Sequence, residues 1–293
     1  MNSTTIVAEL ETYLGDPRLD AAAQFRLRAQ AEATAALAIE YARYHRPGED
    51  LDTLRQNAAA LRRRVQATNE RVVQRWRNQI QAGGHSRDAL IRFCADIIGP
   101  SWRAGQLHTT ATGLDDFVDG LLELPDQPVE TRPREREMIQ YEAAPAPVVL
   151  ELAQRLTLAP DDVFYDLGSG LGSVVILSHL LTGAVCKGVE FEPAYCQAAT
   201  AMAARLRLAD VAFINADARD LAYDDGRIFF MFTPFKGQIM RDVLCALRER
   251  ANHGLITVAS FGYCTLDVAA ASWLRPRGAA PLHPFRLAVF DGV

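Results

Sequence analysis

Val163-Phe-Tyr-Asp-Leu-Gly-Ser-Gly-Leu-Gly-Ser-Val-Val-Ile176 is an apolar run, an acid, a turn carrying three glycines, and a second apolar run. Val163 to Leu167 read as a buried strand, and the residues from Val174 onward as a helix packed on a sheet. At Gly168, Gly170 and Gly172 the missing Cβ permits positive-φ backbone and lets a ligand lie against the main chain. The amides of the next helix's first turn point at whatever sits there, so a nucleotide-like cofactor is the natural occupant. The spacing is Gly-x-Gly-x-Gly, not the Gly-x-Gly-x-x-Gly of a dinucleotide fold, and the Gly-Lys-Ser/Thr of a phosphate loop is missing. Asp166, just ahead of the turn, would repel a pyrophosphate and attract a sulfonium with an ammonium group. Glycines also serve plain strand-turn-helix packing, so the turn alone leaves a structural role open.

Downstream, strand and helix alternate. Val185 to Phe191, Val211 to Asn215, Ile228 to Phe232 and Leu255 to Ser260 read as strands, with Pro193 to Leu208 and Gln238 to Arg250 as helices. This alternation predicts an α/β fold with a parallel sheet and helices on both faces. Arg286 to Asp291 and Ser272 to Leu274 suit a terminal antiparallel hairpin. In such a sheet the ligand binds at the carboxyl ends of the strands. Glu190 ends the second strand, where a carboxylate can accept from both hydroxyls of a ribose. Asp217 and Ala218 follow the third, where an acid can accept from an adenine amino group. Phe232-Thr-Pro-Phe235 follows the fourth. Each acid alone could be a helix cap; together, in order on consecutive strands, they read as a cofactor site.

Asp166 followed by Gly-x-Gly-x-Gly resembles motif I of the class I S-adenosylmethionine-dependent methyltransferases. From Tyr141 to Gly262 the chain resembles more narrowly the non-SET histone-lysine methyltransferases, the family named for disruption of telomeric silencing. The residues that carry this are Tyr141-Glu142, the stretch from Asp161 to Val175, Gly188-Val-Glu190 and Thr257-Val-Ala-Ser260. The resemblance implies a Rossmann-like, mostly parallel seven-stranded sheet behind a helical region. It also implies S-adenosyl-L-methionine as cofactor and a protein lysine as methyl acceptor. It places Tyr141 and Glu142 in a loop over the cofactor. Asp166, Gly168, Ser169, Gly170 and Gly172 fall at the methionine end, Glu190 at the ribose, and Asp217 with Ala218 at the adenine.

Phe232-Thr-Pro-Phe235 departs from that family's Asn-Asn-Phe segment and from the Asn/Asp-Pro-Pro-Tyr loop of nucleic-acid amino methyltransferases, because Thr233 presents no amide. Its backbone carbonyl could still accept from an amine. Methyl transfer from a sulfonium is a direct displacement that needs alignment and exclusion of water, not a covalent intermediate. An amine acceptor must be neutral, and an apolar pocket can achieve that by burial. Tyr141, Thr233 and Phe235 are therefore the candidate catalytic residues, with Phe232 on the cofactor wall and Phe261 as a further pocket aromatic.

The 293 residues allow one large or two modest domains. Residues 1–124 read as an all-helical domain, 125–137 as a linker with Pro125, Pro128 and Pro133, and 138–293 as the methyltransferase domain. In the first, Ala21 to Tyr44 reads as a helix ended by Pro47-Gly48. A second helix starts near Asp50 with a heptad-like stripe of Leu51, Leu54, Ala58, Leu61, Val65, Val72 and Trp76, and the two should pack antiparallel. Shorter helices follow at Ser86 to Ile98 and Leu114 to Leu124. The basic run Arg62, Arg63, Arg64, Arg71, Arg75 and Arg77 reads as a solvated face. His45, His85 and His108 read as surface residues.

The formal net charge of -5, with 31 basic against 36 acidic residues, argues against nucleic acid as a partner. Five scattered cysteines form neither a disulfide framework nor a zinc site. With no signal segment and no apolar run long enough to span a bilayer, the protein reads as cytoplasmic, with no membrane partner. The expected partner is a protein or small-molecule methyl acceptor, and the helical domain is expected to recognise substrate or mediate dimerisation. The alternatives left open are a small-molecule or nucleic-acid methyltransferase on the same sheet, and a non-catalytic cofactor-binding module.

Overall fold

The computed structural model describes residues 3–45, 49–100, 102–108, 113–156 and 158–293; Pro47-Gly48, expected to end the first long helix, lie outside them. Helix α1 (Ser3–Gly15) is followed by a 3-10 turn at Pro17–Asp20, which Asp16 caps by accepting from the Arg18 amide. That turn delays the next helix, α2, to Phe25–Tyr44, and α3 runs over Glu49–Gln81. Arg62 pairs with Glu32 at 3.2 Å and Arg28 reaches Asn69, so α2 and α3 are antiparallel, as expected. Ala31, Ala35, Ala38 and Ala42 meet Leu54, Ala58, Leu61 and Val65, small side chains that let the two axes approach closely.

Beyond Val65 the expected stripe fails. Thr68 and Val73 are buried, while Val72 and Trp76 are only half-buried. A straight helix drifts by about 20° per heptad from a 3.5-residue repeat, which carries Val73 to the inside. The basic run is also less free than expected. Arg64 holds Asp20 at 2.7 Å, and Arg77 holds Glu123 at 2.7 Å and the Leu121 carbonyl, whereas Arg63, Arg71 and Arg75 stay exposed. Arg28 is fully buried and donates to the carbonyls of Leu19, Ala21 and Ala22; desolvation pushes it down to about 10.

Helices α4 (Arg87–Ile98), α5 (Gly113–Leu122) and α6 (Ala146–Arg155) lead to the sheet. Leu90, Phe117 and Val148 from these helices share one apolar cluster with Phe164 of the sheet and Leu177 of a helix packed on it. Strands β1 (Val163–Leu167), β2 (Val185–Glu190), β3 (Val211–Asn215), β4 (Ile228–Phe232) and β5 (Thr257–Phe261) are parallel. Helices α7 (Ser173–Thr182), α8 (Pro193–Arg205) and α9 (Gly237–Ala251) connect them, and α10 (Cys264–Ala270) follows β5. The expected terminal hairpin is β6 (Leu274–Pro276) with β7 (Ala288–Gly292), and β7 lies antiparallel to β5. The spatial order is β3-β2-β1-β4-β5-β7-β6. The order reverses at β1, between β2 and β4, so a crevice opens at the carboxyl ends of those three strands.

Candidate active site

The turn after β1 is built on positive φ: +79° at Gly168, +51° at Gly170 and +79° at Gly172. The amides of Gly168 and Ser169 both donate to the Val189 carbonyl, at 2.9 and 3.0 Å, which folds the turn onto the end of β2. Packing demands glycine as strictly as the backbone does. An added Cβ would lie 2.3 Å from Pro234 at Gly168, 2.3 Å from the Tyr141 ring at Gly170 and 2.4 Å from Phe213 at Gly172. Protein groups therefore fill the space that the sequence alone assigned to a ligand, and the cavity begins beside them.

That cavity, about 870 Å³, sits over the carboxyl ends of the strands. Tyr141, Glu142, Gly168 and Gly170 line it, as do Glu190, Asp217 and Ala218. Phe232, Thr233 and Phe235 line its other end. Asp166, Ser169 and Gly172 lie just behind this lining. Asp166 is buried and its carboxyl accepts no hydrogen bond from any described residue. Desolvation and then the charge of Glu190 push it up to about 8.

Glu190 is likewise raised by burial, although the amides of Glu192 (2.8 Å to Oε1) and Gly170 (2.7 Å to Oε2) oppose the shift. Each oxygen keeps a free lone pair. Asp217 is held below the ordinary carboxylate range by Arg219, which binds it through Nε, Nη2 and its amide. Two adjoining buried acids with no cation paired to them among the described residues, together with the orphaned hydroxyls of Tyr141 and Ser169, are unfavourable in an isolated protein. A ligand that brings an ammonium, a sulfonium and hydroxyl donors fits this set.

The proline-rich segment 125–137 crosses the mouth as a strap. Glu192, buried, accepts from Thr131 Oγ1 at 2.6 Å and the Arg132 amide at 2.9 Å, and the Arg132 guanidinium lies 3.8 Å over the Phe191 ring. Glu137 then caps α9 by accepting from the Gln238 and Ile239 amides. Next, Ile139 donates to the Pro234 carbonyl at 3.0 Å and Met138 bridges Phe235, which brings Tyr141 over the glycine turn.

Thr233 sits at φ +43°, a costly position for a threonine, and the bare Cα face of Gly262 makes room for its hydroxyl. Its carbonyl accepts no hydrogen bond from any described residue. Phe235 is buried mainly in the apolar layer under the opposite sheet face, with Ile239 and Met240. Phe232 and Phe261 stand 5.4 Å apart and form the apolar end of the cavity.

Residues 140–216 match the family model described as histone methylation protein DOT1. That span contains Tyr141, the glycine turn, Glu190 and the end of β3. The chain is an S-adenosylmethionine-dependent methyltransferase, and its residues 140–216 are similar to DOT1. Its sheet also resembles an RNA methyltransferase from Salinibacter ruber in complex with S-adenosyl-L-homocysteine (22% identity, 52% of this chain and 92% of that one, TM-score 0.42). A precorrin-6y methyltransferase from Geobacter metallireducens is similar at 17% identity, over 53% of this chain and 92% of that one, with a TM-score of 0.39. Nothing about this chain's acceptor follows from either. No curated protein matches the chain.

Two histidines of this methyltransferase are not surface residues, contrary to expectation. His85 is half-buried, held low by desolvation, and contacts the Leu180 carbonyl at 3.3 Å. His108 has a side chain only 4% exposed, lines the cavity, and meets the fully buried Glu151 at 2.7 Å. No local signal marks that pair, because 43 residues separate its members and only the packing of α6 against the loop at 102–108 joins them.

Proposed function

We propose that this methyltransferase transfers its methyl group to a protein lysine amine. The observation that carries the reading is the Thr233 carbonyl, which accepts no hydrogen bond from any described residue, in a cavity wall shared with Phe232 and Phe261, within a chain whose residues 140–216 match the DOT1 family model. When bound, S-adenosyl-L-methionine supplies the electrophilic methyl. Glu190 accepts from the ribose hydroxyls with its two free lone pairs, and Asp217, with the adjoining Ala218 backbone, takes the adenine edge. Asp166 and the turn at Gly168, Ser169, Gly170 and Gly172 hold the charged methionine end, which relieves the repulsion between Asp166 and Glu190. Tyr141 and Glu142 cover the cofactor and exclude water. Phe232 and Phe235 lower the acceptor ammonium's hold on its proton by desolvation, and the Thr233 carbonyl aims the amine lone pair.

The helical region of residues 1–124 serves as the platform for the protein substrate, and 125–137 is the connection that doubles as the strap. Five free cysteines, four of them buried, suit a reducing compartment, and we place the reaction in the cytoplasm. No described helix is long and apolar enough to cross a membrane. A small-molecule acceptor is the second reading, favoured by a cavity of about 870 Å³, near the upper end for small-molecule sites. Incubation with methyl-labelled cofactor and fractionated lysate separates the two. Label in acid-stable lysine adducts supports the first reading; label confined to small molecules or nucleic acid overturns it.

A further inference from the structure

The loop at 102–108 brings His108 to the cavity wall beside Phe261. The ring of His108 stands edge-on to Phe261 at 5.9 Å, and Phe261 in turn neighbours Phe232, so the imidazole extends the row of rings where the acceptor enters. Its Nε2 is 2.7 Å from Glu151 Oε2. The other oxygen of Glu151 accepts from the Gly105 amide at 2.8 Å and from Arg155 Nη1 at 3.0 Å. A carboxylate so held is an acceptor, which puts the proton on Nε2 and leaves Nδ1 as a base. Nδ1 has no partner among the described residues, and His108 lines the cavity. The main chain fixes the ring's place, since the His108 amide donates to the Phe285 carbonyl at 2.7 Å.

We propose that His108 is a catalytic base, held by Glu151, that takes the proton from the acceptor ammonium before methyl transfer. An N–H bond of the ammonium breaks and the proton joins Nδ1. The freed nitrogen lone pair forms the N–C bond as the C–S bond of the sulfonium breaks, and the imidazolium then gives its proton to solvent. The charged groups packed about this pair are Arg155 from α6, bound to Glu151, and Arg286, whose Nε holds the Gly105 carbonyl at 2.9 Å, while Asp115 of α5 lines the same cavity. A purely structural pair would pin the loop and do nothing more.

The proposal rests on the amine acceptor given above, and its test has two arms. In the first, protein labelled with 15N-histidine and saturated with S-adenosylhomocysteine is titrated with n-butylammonium as a lysine side-chain probe. The expected result is movement of one imidazole Nδ1 signal, the one missing from His108→Gln; no histidine signal moving overturns the proposal, and this needs only the wild-type fold. In the second, poly-L-lysine and methyl-labelled cofactor report turnover. His108→Gln should lose about a hundredfold or more in kcat near neutral pH, with KM for the cofactor unchanged and the rate recovering as pH rises. A His108→Gln rate within about threefold of wild type, with the same pH profile, overturns the proposal while leaving the lysine reading intact. Movement of the His108 signal with no label in poly-L-lysine supports the base and counts against the protein acceptor.

Discussion

The Tyr141 ring occupies the volume in which a side chain on Gly170 would begin: a Cβ there would lie 2.3 Å from Cε2. Gly170 also sits at φ +51° and donates its amide to Glu190, so one glycine joins the covering loop, the turn and the second strand. Gly170→Ala is expected to combine left-handed strain of about 1 to 2 kcal/mol with displacement of Tyr141. S-adenosylhomocysteine should bind about tenfold more weakly or worse in calorimetry. Adding Tyr141→Ala should recover part of the lost melting temperature by removing the clash. Wild-type affinity in the single variant would show that the ring does not set the turn.

With Asp166 at the methionine end of the proposed cofactor site, binding should depend on pH with a sign set by the surroundings of that carboxyl. Burial and Glu190 push it up to about 8, so the protein without cofactor holds this group protonated below that pH. The cofactor's ammonium requires the carboxylate, and a proton must leave on binding. Affinity should therefore rise about tenfold per pH unit from about pH 6 to about pH 8 and then level. Stability of the cofactor-free protein runs the other way. The folded state holds a proton that the unfolded state loses near 4, so this group's contribution falls as pH climbs from about 4 to about 8. Asp166→Asn should flatten the affinity curve and weaken binding above pH 8. A wild-type affinity independent of pH over that window would remove Asp166 from the cofactor site.

Much of this was legible in the sequence because the informative residues are tied to strand ends. Glu190 and Asp217 follow β2 and β3 in chain order, and sheet topology then carries both to one edge of the crevice without any tertiary knowledge. The drift from Val72 to Val73 depends on how straight α3 runs over many turns, which a heptad count does not register. The pairing of His108 with Glu151, and of Thr131 with Glu192 across 61 positions, exists only after the helical region docks on the sheet. Three prolines marked 125–137 as irregular, yet its hydrogen bonds to α8 and α9 could not be read from composition.

Glu192 is the fastening of that strap. Burial alone would raise its carboxyl, but hydrogen bonds from Thr131, Ala194 and Arg132 hold it down to about 2. It is ionised throughout the neutral range, and its tether is lost only as pH falls from about 4.5 through about 2. Glu192→Ala should release the segment at neutral pH. Limited digestion with trypsin should then cut at Arg132, Arg134 or Arg136 about tenfold faster, as expected for losing one or two such bonds. Cleavage at the wild-type rate would mean that the remaining contacts suffice to hold the strap.

The central claim is that Glu190, at the end of β2, anchors the cofactor of this methyltransferase. Titration calorimetry with S-adenosylhomocysteine on wild type and on Glu190→Ala tests it most directly. Loss of a charge-assisted acceptor should weaken binding by about 1.5 to 3 kcal/mol, roughly tenfold to 150-fold, with one site per chain in both proteins. Equal affinity in the two proteins would contradict the account.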